Sequence, residues 1–158
     1  MLLESALSRK PLVAHLLWFV LWVAVTAFGV YLSPSPQGHG THQQLGLPPC
    51  PSALFLDRPC PGCGLTTSWS ALLHGDMRLS FHAHPLGPVL YLLFTAVAWT
   101  GLYGWIKKLR VRSEQPWFAK WSTTLAALFL GFGLIRAMVT PHYATQTERW
   151  YRSFSSIR

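Results

Sequence analysis

Three cysteines are the residues of this chain best suited to chemistry, and they lie close together in the sequence. Cys60 and Cys63 flank Pro61 and Gly62, and Cys50 precedes them by ten residues. Two thiols three positions apart on a Pro/Gly turn can point at a common centre, where they form a disulfide or half of a metal site. The spacing therefore makes Cys50, Cys60 and Cys63 the candidate functional site.

The residues alone leave three interpretations of these cysteines open. In an oxidising compartment, a disulfide from Cys50 to Cys60 or to Cys63 would close a loop of about a dozen residues and stabilise it by about 3 kcal/mol. A zinc site would need a fourth ligand, which a nearby histidine could supply. The candidate histidines are His74, His82 and His84. Thiol redox chemistry is the third interpretation, because the start of a helix lowers the pKa of a thiol.

The rest of the chain has the composition of a membrane protein. It has 158 residues, of which 51% are hydrophobic and only 11% charged, against about 25% charged in soluble domains. Apolar runs over residues 12–32, 85–106 and 117–139 each match the roughly 20 residues that span a bilayer. The sequence predicts a single all-α membrane domain over residues 1–158, with three transmembrane helices and a Cys/His-bearing loop over residues 33–84.

Positive charge predicts the orientation of these spans. Seven cations precede the first span or separate the second from the third, namely Arg9, Lys10, Lys107, Lys108, Arg110, Arg112 and Lys120. Five flank the other ends, namely Arg58, Arg78, Arg149, Arg152 and Arg158. The positive-inside rule then places the amino terminus in the cytoplasm of a bacterial cell and the cysteine loop in the periplasm. No basic stripe is interleaved with aromatic residues on a soluble face, so nucleic acid is not an expected partner.

The loop between the first two spans is predicted to contain short interfacial helices. Apolar residues fall on one helical face, namely Leu65, Trp69, Leu72 and Leu73. Thr66 or Thr67 is expected to cap this helix and Gly75 to end it. Asp76 should cap a second short helix, and Pro85 should open the second span. In the polar linker before them, His39 and His42 are interpreted as solvated rather than as ligands.

The loop motifs resemble those of a bacterial family of small multi-pass membrane proteins with a domain of unknown function. The shared features are Cys50, Pro-Cys-Pro-Gly-Cys-Gly-Leu-Thr at 59–66, Leu-Leu-His-Gly-Asp at 72–76 and Pro-Leu at 85–86, which are similar to the family's CPxCGxTR, LLxGD and NPL motifs. Thr67 stands where the family usually has Arg, and His84 where it usually has Asn. The resemblance implies membership and topology, with Gly64, Thr66, Gly75, Asp76 and Pro85 as motif positions, and no established activity.

Acidic residues are too few to favour an enzyme. The whole loop contains only Asp57 and Asp76 as carboxylates, and the chain has no Ser/His/Asp set and no Gly-rich phosphate cradle. The sequence therefore favours a non-catalytic membrane subunit or scaffold, which docks on a larger membrane complex while the Cys cluster stabilises its outer loop. The alternative is a membrane thiol-redox or zinc-binding protein that uses Cys60 and Cys63.

Two stripes of small residues are consistent with such docking. They are Ala96, Thr100 and Gly104 on the second span, and Thr123, Ala127 and Gly131 on the third. Small side chains let helix backbones approach closely in lipid, where dispersion contacts drive association. The stripes predict close helix packing, either between these spans or against other membrane subunits.

Overall fold

Helices dominate the computed structural model, which describes residues 3–5, 12–111 and 116–145. In chain order they are α1 (Val13–Tyr31), a 3₁₀ helix (Thr41–Leu45), α2 (Pro51–Leu56), α3 (Leu65–Leu73), α4 (Met77–Ala83), α5 (Gly87–Lys107) and α6 (Pro116–Val139). By length and composition, α1, α5 and α6 can each cross a membrane. The predicted all-α membrane fold with three spanning helices is confirmed.

The first two spans form an antiparallel pair. Trp22 Nε1 donates to Thr95 Oγ1 at 2.9 Å, and the hydroxyls of Thr26 and Tyr91 lie 2.8 Å apart, so contacts advance along α1 as they recede along α5. This pairing brings the start of α1 and the end of α5 to the same side. There, strands β1 (Leu3–Ser5) and β2 (Leu109–Val111) form a short antiparallel ribbon, which the sequence did not predict.

Small residues mediate the packing of α1 against α5. Most of the small-residue stripe predicted on α5 takes no part in it. Ala98 and Gly101 are buried, and a Cβ added at Gly101 would lie 3.1 Å from the carbonyl oxygen of His15. Ala96 and Thr100 of the predicted stripe are exposed. The face of α5 that packs against α1 is therefore not the predicted one. It is the face that carries Tyr91 and Thr95, whose side chains bond to residues of α1.

The third span stands apart from the other two. Within the described part of the chain, α6 packs along neither α1 nor α5, and its main contacts are with the loop that carries the cysteines. Gly133 lies against Pro61, where an added Cβ would come within 2.4 Å of the proline ring. Arg58 donates to the carbonyl oxygens of Ala137 and Met138 near the end of α6.

Residues 33–84 fold into a compact segment, here called the lid, between α1 and α5. Most of its buried residues are small, and many are polar. They include Thr41, Ala53, Thr67, Ser68, Ser70, Ala71, Ser80 and Ala83. The hydroxyls satisfy one another and the backbone: Thr41 and Thr67 lie 2.8 Å apart, and Ser80 Oγ donates to the Ser68 carbonyl at 2.7 Å. Satisfied hydroxyls permit close packing of short helices without a large apolar core.

The helix boundaries in and next to the lid confirm one predicted helix start and correct two. Asp76 accepts a hydrogen bond from the Leu79 N–H at 2.8 Å and caps α4 as predicted. The expected capping of α3 by Thr66 or Thr67 is wrong, because α3 begins at Leu65 after Gly64 in the left-handed region. Pro85 does not open the second span either. It lies in a turn before α5, and Pro88 takes the first-turn position.

Several charges used to predict the orientation lie outside the described residues. They are Arg9, Lys10, Arg112, Arg149, Arg152 and Arg158. The cytoplasmic amino terminus and the periplasmic lid therefore stay predictions.

Candidate metal centre

Two turns of the lid bring the three cysteines together. Cys50 is the residue that precedes α2, in a proline-rich stretch that keeps the backbone extended. Cys60 and Cys63 are joined by a turn in which the Cys63 N–H donates to the Cys60 carbonyl at 3.0 Å. Gly64, with φ of 85°, then redirects the chain into α3, and a residue with a side chain adopts this conformation only at a cost.

The sulfur atoms lie close together but are not bonded. The Sγ of Cys50 is 3.3 Å from that of Cys63 and 3.6 Å from that of Cys60, whereas a disulfide bond is about 2.05 Å long. All three are free thiols. The predicted disulfide from Cys50 to Cys60 or Cys63 is therefore wrong, because the lid places three sulfurs around one point rather than two in covalent contact.

This arrangement fits a metal ion. All three sulfur atoms lie within 4.8 Å of one another. Tetrahedral zinc with Zn–S bonds of about 2.3 Å separates its sulfur ligands by about 3.8 Å, which is close to the separations found here. Thiolates are soft donors, and clusters of them favour zinc over the hard cations that oxygen ligands bind. The cysteine cluster can hold a metal ion such as zinc.

The thiols differ in their readiness to ionise. Burial raises the pKa of Cys50, but hydrogen bonds from the Cys63 thiol and from the N–H groups of Ala53 and Ser52 outweigh it, so the net shift is downward. Burial raises the pKa of Cys63. Of these two groups, Cys50 therefore ionises more readily than Cys63.

The predicted histidine ligands do not join the cluster. His74 Nδ1 lies 2.8 Å from the Ser70 carbonyl at the end of α3, and His84 Nε2 lies 3.0 Å from the Pro61 carbonyl. His82, the third candidate, is exposed on α4. Among the described residues, the only group of Cys, His, Asp or Glu placed to hold a metal consists of the three cysteines.

A cavity of about 340 Å³ adjoins the sulfurs and brings two other histidines near them. Its lining includes all three cysteines together with His39, His42, Thr66 and Thr67. The sequence interpretation of His39 and His42 as solvated linker residues missed this placement. The turn-rich composition gave no sign that the linker folds back over the cysteines, since contacts between distant residues, such as Thr41 with Thr67 and His39 with Tyr143, hold it there.

Two side chains outside the cluster hold the cysteine turn. His84 is fully buried beneath it against the rings of Phe129 and Phe132, and burial lowers the pKa of His84 so that it favours the neutral form. Arg136 of α6 donates to the carbonyl oxygens of Cys63 and Ala83 at 2.7 and 2.8 Å. These two hydrogen bonds tie α6 to the lid.

Comparison with known proteins supports the resemblance over the central part of the chain. Residues 50–98 match the family described as Protein of unknown function (DUF2752). The matched segment includes the three cysteines, α2 to α4 and the first half of α5. No curated protein and no solved structure matches the chain. The predicted family resemblance is confirmed for this segment, and the family brings no known activity with it.

Proposed function

We propose that this membrane protein of a family of unknown function is a zinc protein, in which the metal binds Cys50, Cys60 and Cys63 and fixes the lid. The supporting observation is the spacing of the three sulfurs, all within 4.8 Å of one another. Neutral thiols gain little from such a cluster, whereas a divalent cation binds three thiolates strongly and contributes its binding energy to folding. Zinc then supplies the stabilisation that the sequence assigned to the cysteine cluster.

A structural role is favoured over catalysis. None of the described residues that line the cavity is Asp or Glu, so a carboxylate that could act as general base on a zinc-bound water is lacking there. The metal also sits where it would join separate parts of the lid, because Cys50 precedes α2 while Cys60 and Cys63 precede α3. Removing the metal would therefore release the lid rather than stop a reaction.

The fourth zinc ligand in this proposal is His42. His39 is held by stacking on the Tyr143 ring at 4.3 Å and is only 7% exposed, so its imidazole cannot turn without disrupting that contact. His42 is half-buried, and its Nε2 lies 3.3 Å from the Pro48 carbonyl. His42 would exchange that long hydrogen bond for a zinc bond, which completes the Cys₃His set of a closed structural site.

Cobalt substitution tests both the metal and its fourth ligand. Wild-type protein should bind one Co²⁺ per chain with thiolate charge-transfer bands and the visible bands of tetrahedral coordination. His42→Ala should shift the visible bands and weaken zinc binding about tenfold or more, since even outer ligand partners are worth 10–100-fold. His74→Ala, at an exposed histidine outside the cavity, is the matched control and should change neither.

Two results would contradict these assignments in different ways. Wild-type protein without stoichiometric zinc or cobalt would reject the zinc function itself. Metal binding with bands and affinity unchanged in His42→Ala would leave the three thiolates in place and reject only the fourth ligand. A Cys₃ site closed by water would then be the remaining coordination.

A second role, docking on a larger membrane complex, is supported by the separation of α6 from the other spans. Leu128 and Leu134 are exposed, and a Cβ added at Gly131 would meet no described atom within 4 Å. Gly131→Leu should displace a stoichiometric subunit that co-purifies in mild detergent, because it fills a close-approach position. Leu92→Met on α5 is the control. Purification of the wild-type chain alone would contradict this role.

The proposed location follows from charge. The lid would face the periplasm of a bacterial inner membrane, with Lys107 and Lys108 at the cytoplasmic end of α5. In that compartment, zinc ligation would also protect the thiols from oxidation, since a metal-bound thiolate is a weaker target than a free one.

A further inference from the structure

A second cavity, on the side of the lid that faces the end of α6, is lined by one arginine and several histidines. Its volume is about 320 Å³, and its lining includes Arg136, Thr140, His142 and Tyr143 from α6 and the residues after it, with His39 and His82 from the lid. The cavity at the cysteines has a different wall and shares only His39 with this one. One guanidinium and three imidazoles therefore surround a single polar space.

Arg136 supplies a positive charge that no carboxylate neutralises. Among the described residues it forms no ion pair. It donates to the carbonyls of Cys63 and Ala83, and its guanidinium lies 5.6 Å from the centre of the Tyr143 ring. A guanidinium has five N–H donors, so the two carbonyls do not use all of them. Asp57, which does not line the cavity, accepts from His142 Nδ1 and from the Ala144 N–H. An unneutralised, half-buried guanidinium favours an anion beside it.

The position of the cavity suggests which anion it meets. Arg136 lies three residues before the end of α6 at Val139, about one turn inside the span, which is the depth at which a helix enters the headgroup region. Phosphate oxygens of phospholipids are at that level, and planar guanidinium groups pair with phosphate through parallel hydrogen bonds. The exposed imidazole of His82, which also lines the cavity, can add a donor.

We propose that this cavity is a phosphate-binding site, with Arg136 as the main ligand and His82 as an additional donor. The ligand is a phosphate oxyanion, carried either by a phospholipid headgroup or by free phosphate. Because Arg136 also holds the Cys63 and Ala83 carbonyls, a bound phosphate would be linked to the end of α6 and to the cysteine turn at once. The proposal does not depend on zinc.

Isothermal titration of the full-length protein in detergent tests the site with three probes. They are dihexanoyl-phosphatidylglycerol, sodium phosphate, and dihexanoylglycerol as the phosphate-free control. Wild-type protein should bind a phosphate-bearing probe and not dihexanoylglycerol. Preference for the lipid over sodium phosphate identifies a headgroup as the source, and equal binding of the two identifies free phosphate. Both results support a phosphate site.

Substitutions locate the binding. Arg136→Lys should weaken it about tenfold or more, because a lysine loses the forked geometry of a charge-assisted hydrogen bond. Since Arg136 also supports the lid, His82→Ala provides a second variant at an exposed side chain that should weaken binding severalfold without unfolding. Arg58→Gln is the matched control, since Arg58 binds carbonyls at the same end of α6 but does not line the cavity.

Two outcomes would overturn the site. One is wild-type protein that binds neither phosphatidylglycerol nor sodium phosphate. The other is binding that Arg136→Lys and His82→Ala leave unchanged, or that Arg58→Gln weakens as much as they do, because the phosphate would then be held elsewhere.

Discussion

Changing both Cys60 and Cys63 to serine should abolish zinc binding and open the lid to proteases, while the three spans still insert into the membrane. Two of the three thiolates of the cluster are then lost, and serine hydroxyls do not replace them as zinc ligands. With free zinc at a hundred times its Kd, the proposed metal would stabilise the native lid by about 2.7 kcal/mol, and the variant would lose this contribution. Limited proteolysis and zinc content of the purified protein are the measurements.

A chelator provides the matching control for the double variant. Treating wild-type protein with a zinc chelator should reproduce the increase in cleavage, and the same chelator should leave the variant unchanged, because it has no metal to lose. Insertion is followed separately by membrane fractionation, which depends on α1, α5 and α6 rather than on the lid. A variant as resistant as zinc-loaded wild-type protein would show that the cysteine cluster does not stabilise the lid.

Gly64→Ala is expected to destabilise the lid by about 2–4 kcal/mol, whereas Gly62→Ala, two residues away, should change stability by less than about 0.5 kcal/mol. Gly64 has φ of 85°, and a Cβ there would lie 2.3 Å from the Ala83 carbonyl oxygen and 2.8 Å from that of Gly38. Both obstacles are backbone atoms, so no side-chain rotation relieves the contact. Gly62 has no described atom within 4 Å of an added Cβ and no positive φ.

Thermal unfolding in detergent and retention of zinc measure the effect of Gly64→Ala. The substitution should lower both, because Gly64 directly follows Cys63 and any shift of its backbone moves that sulfur. Equal thermal stability of the Gly64→Ala and Gly62→Ala proteins would contradict the close packing of the cysteine turn against Ala83 and Gly38.

The sequence predicted the features that depend on composition and local spacing. Three apolar runs of membrane-spanning length became α1, α5 and α6, because a lipid-spanning helix satisfies its own backbone and is recognisable without its neighbours. Asp76 was identified as a cap, since a cap needs only residues within one turn. The Cys-Pro-Gly-Cys turn likewise predicted a sulfur cluster, although sequence spacing could not distinguish a disulfide from three free thiols.

Only the tertiary structure determined what surrounds the cysteines. The approach of His42 to the cysteine cavity and the contact of Arg136 with the Cys63 carbonyl join residues far apart in the chain, and neither depends on a periodic pattern. His84 was predicted as a ligand and instead supports the turn through Pro61. Membrane-spanning helices and caps are fixed by local interactions. Ligand sets and cavities are fixed by how the lid packs against α6. That packing depends on small-residue contacts such as Gly133 with Pro61. A single glycine in an apolar run gives no indication in the sequence that such a contact will form.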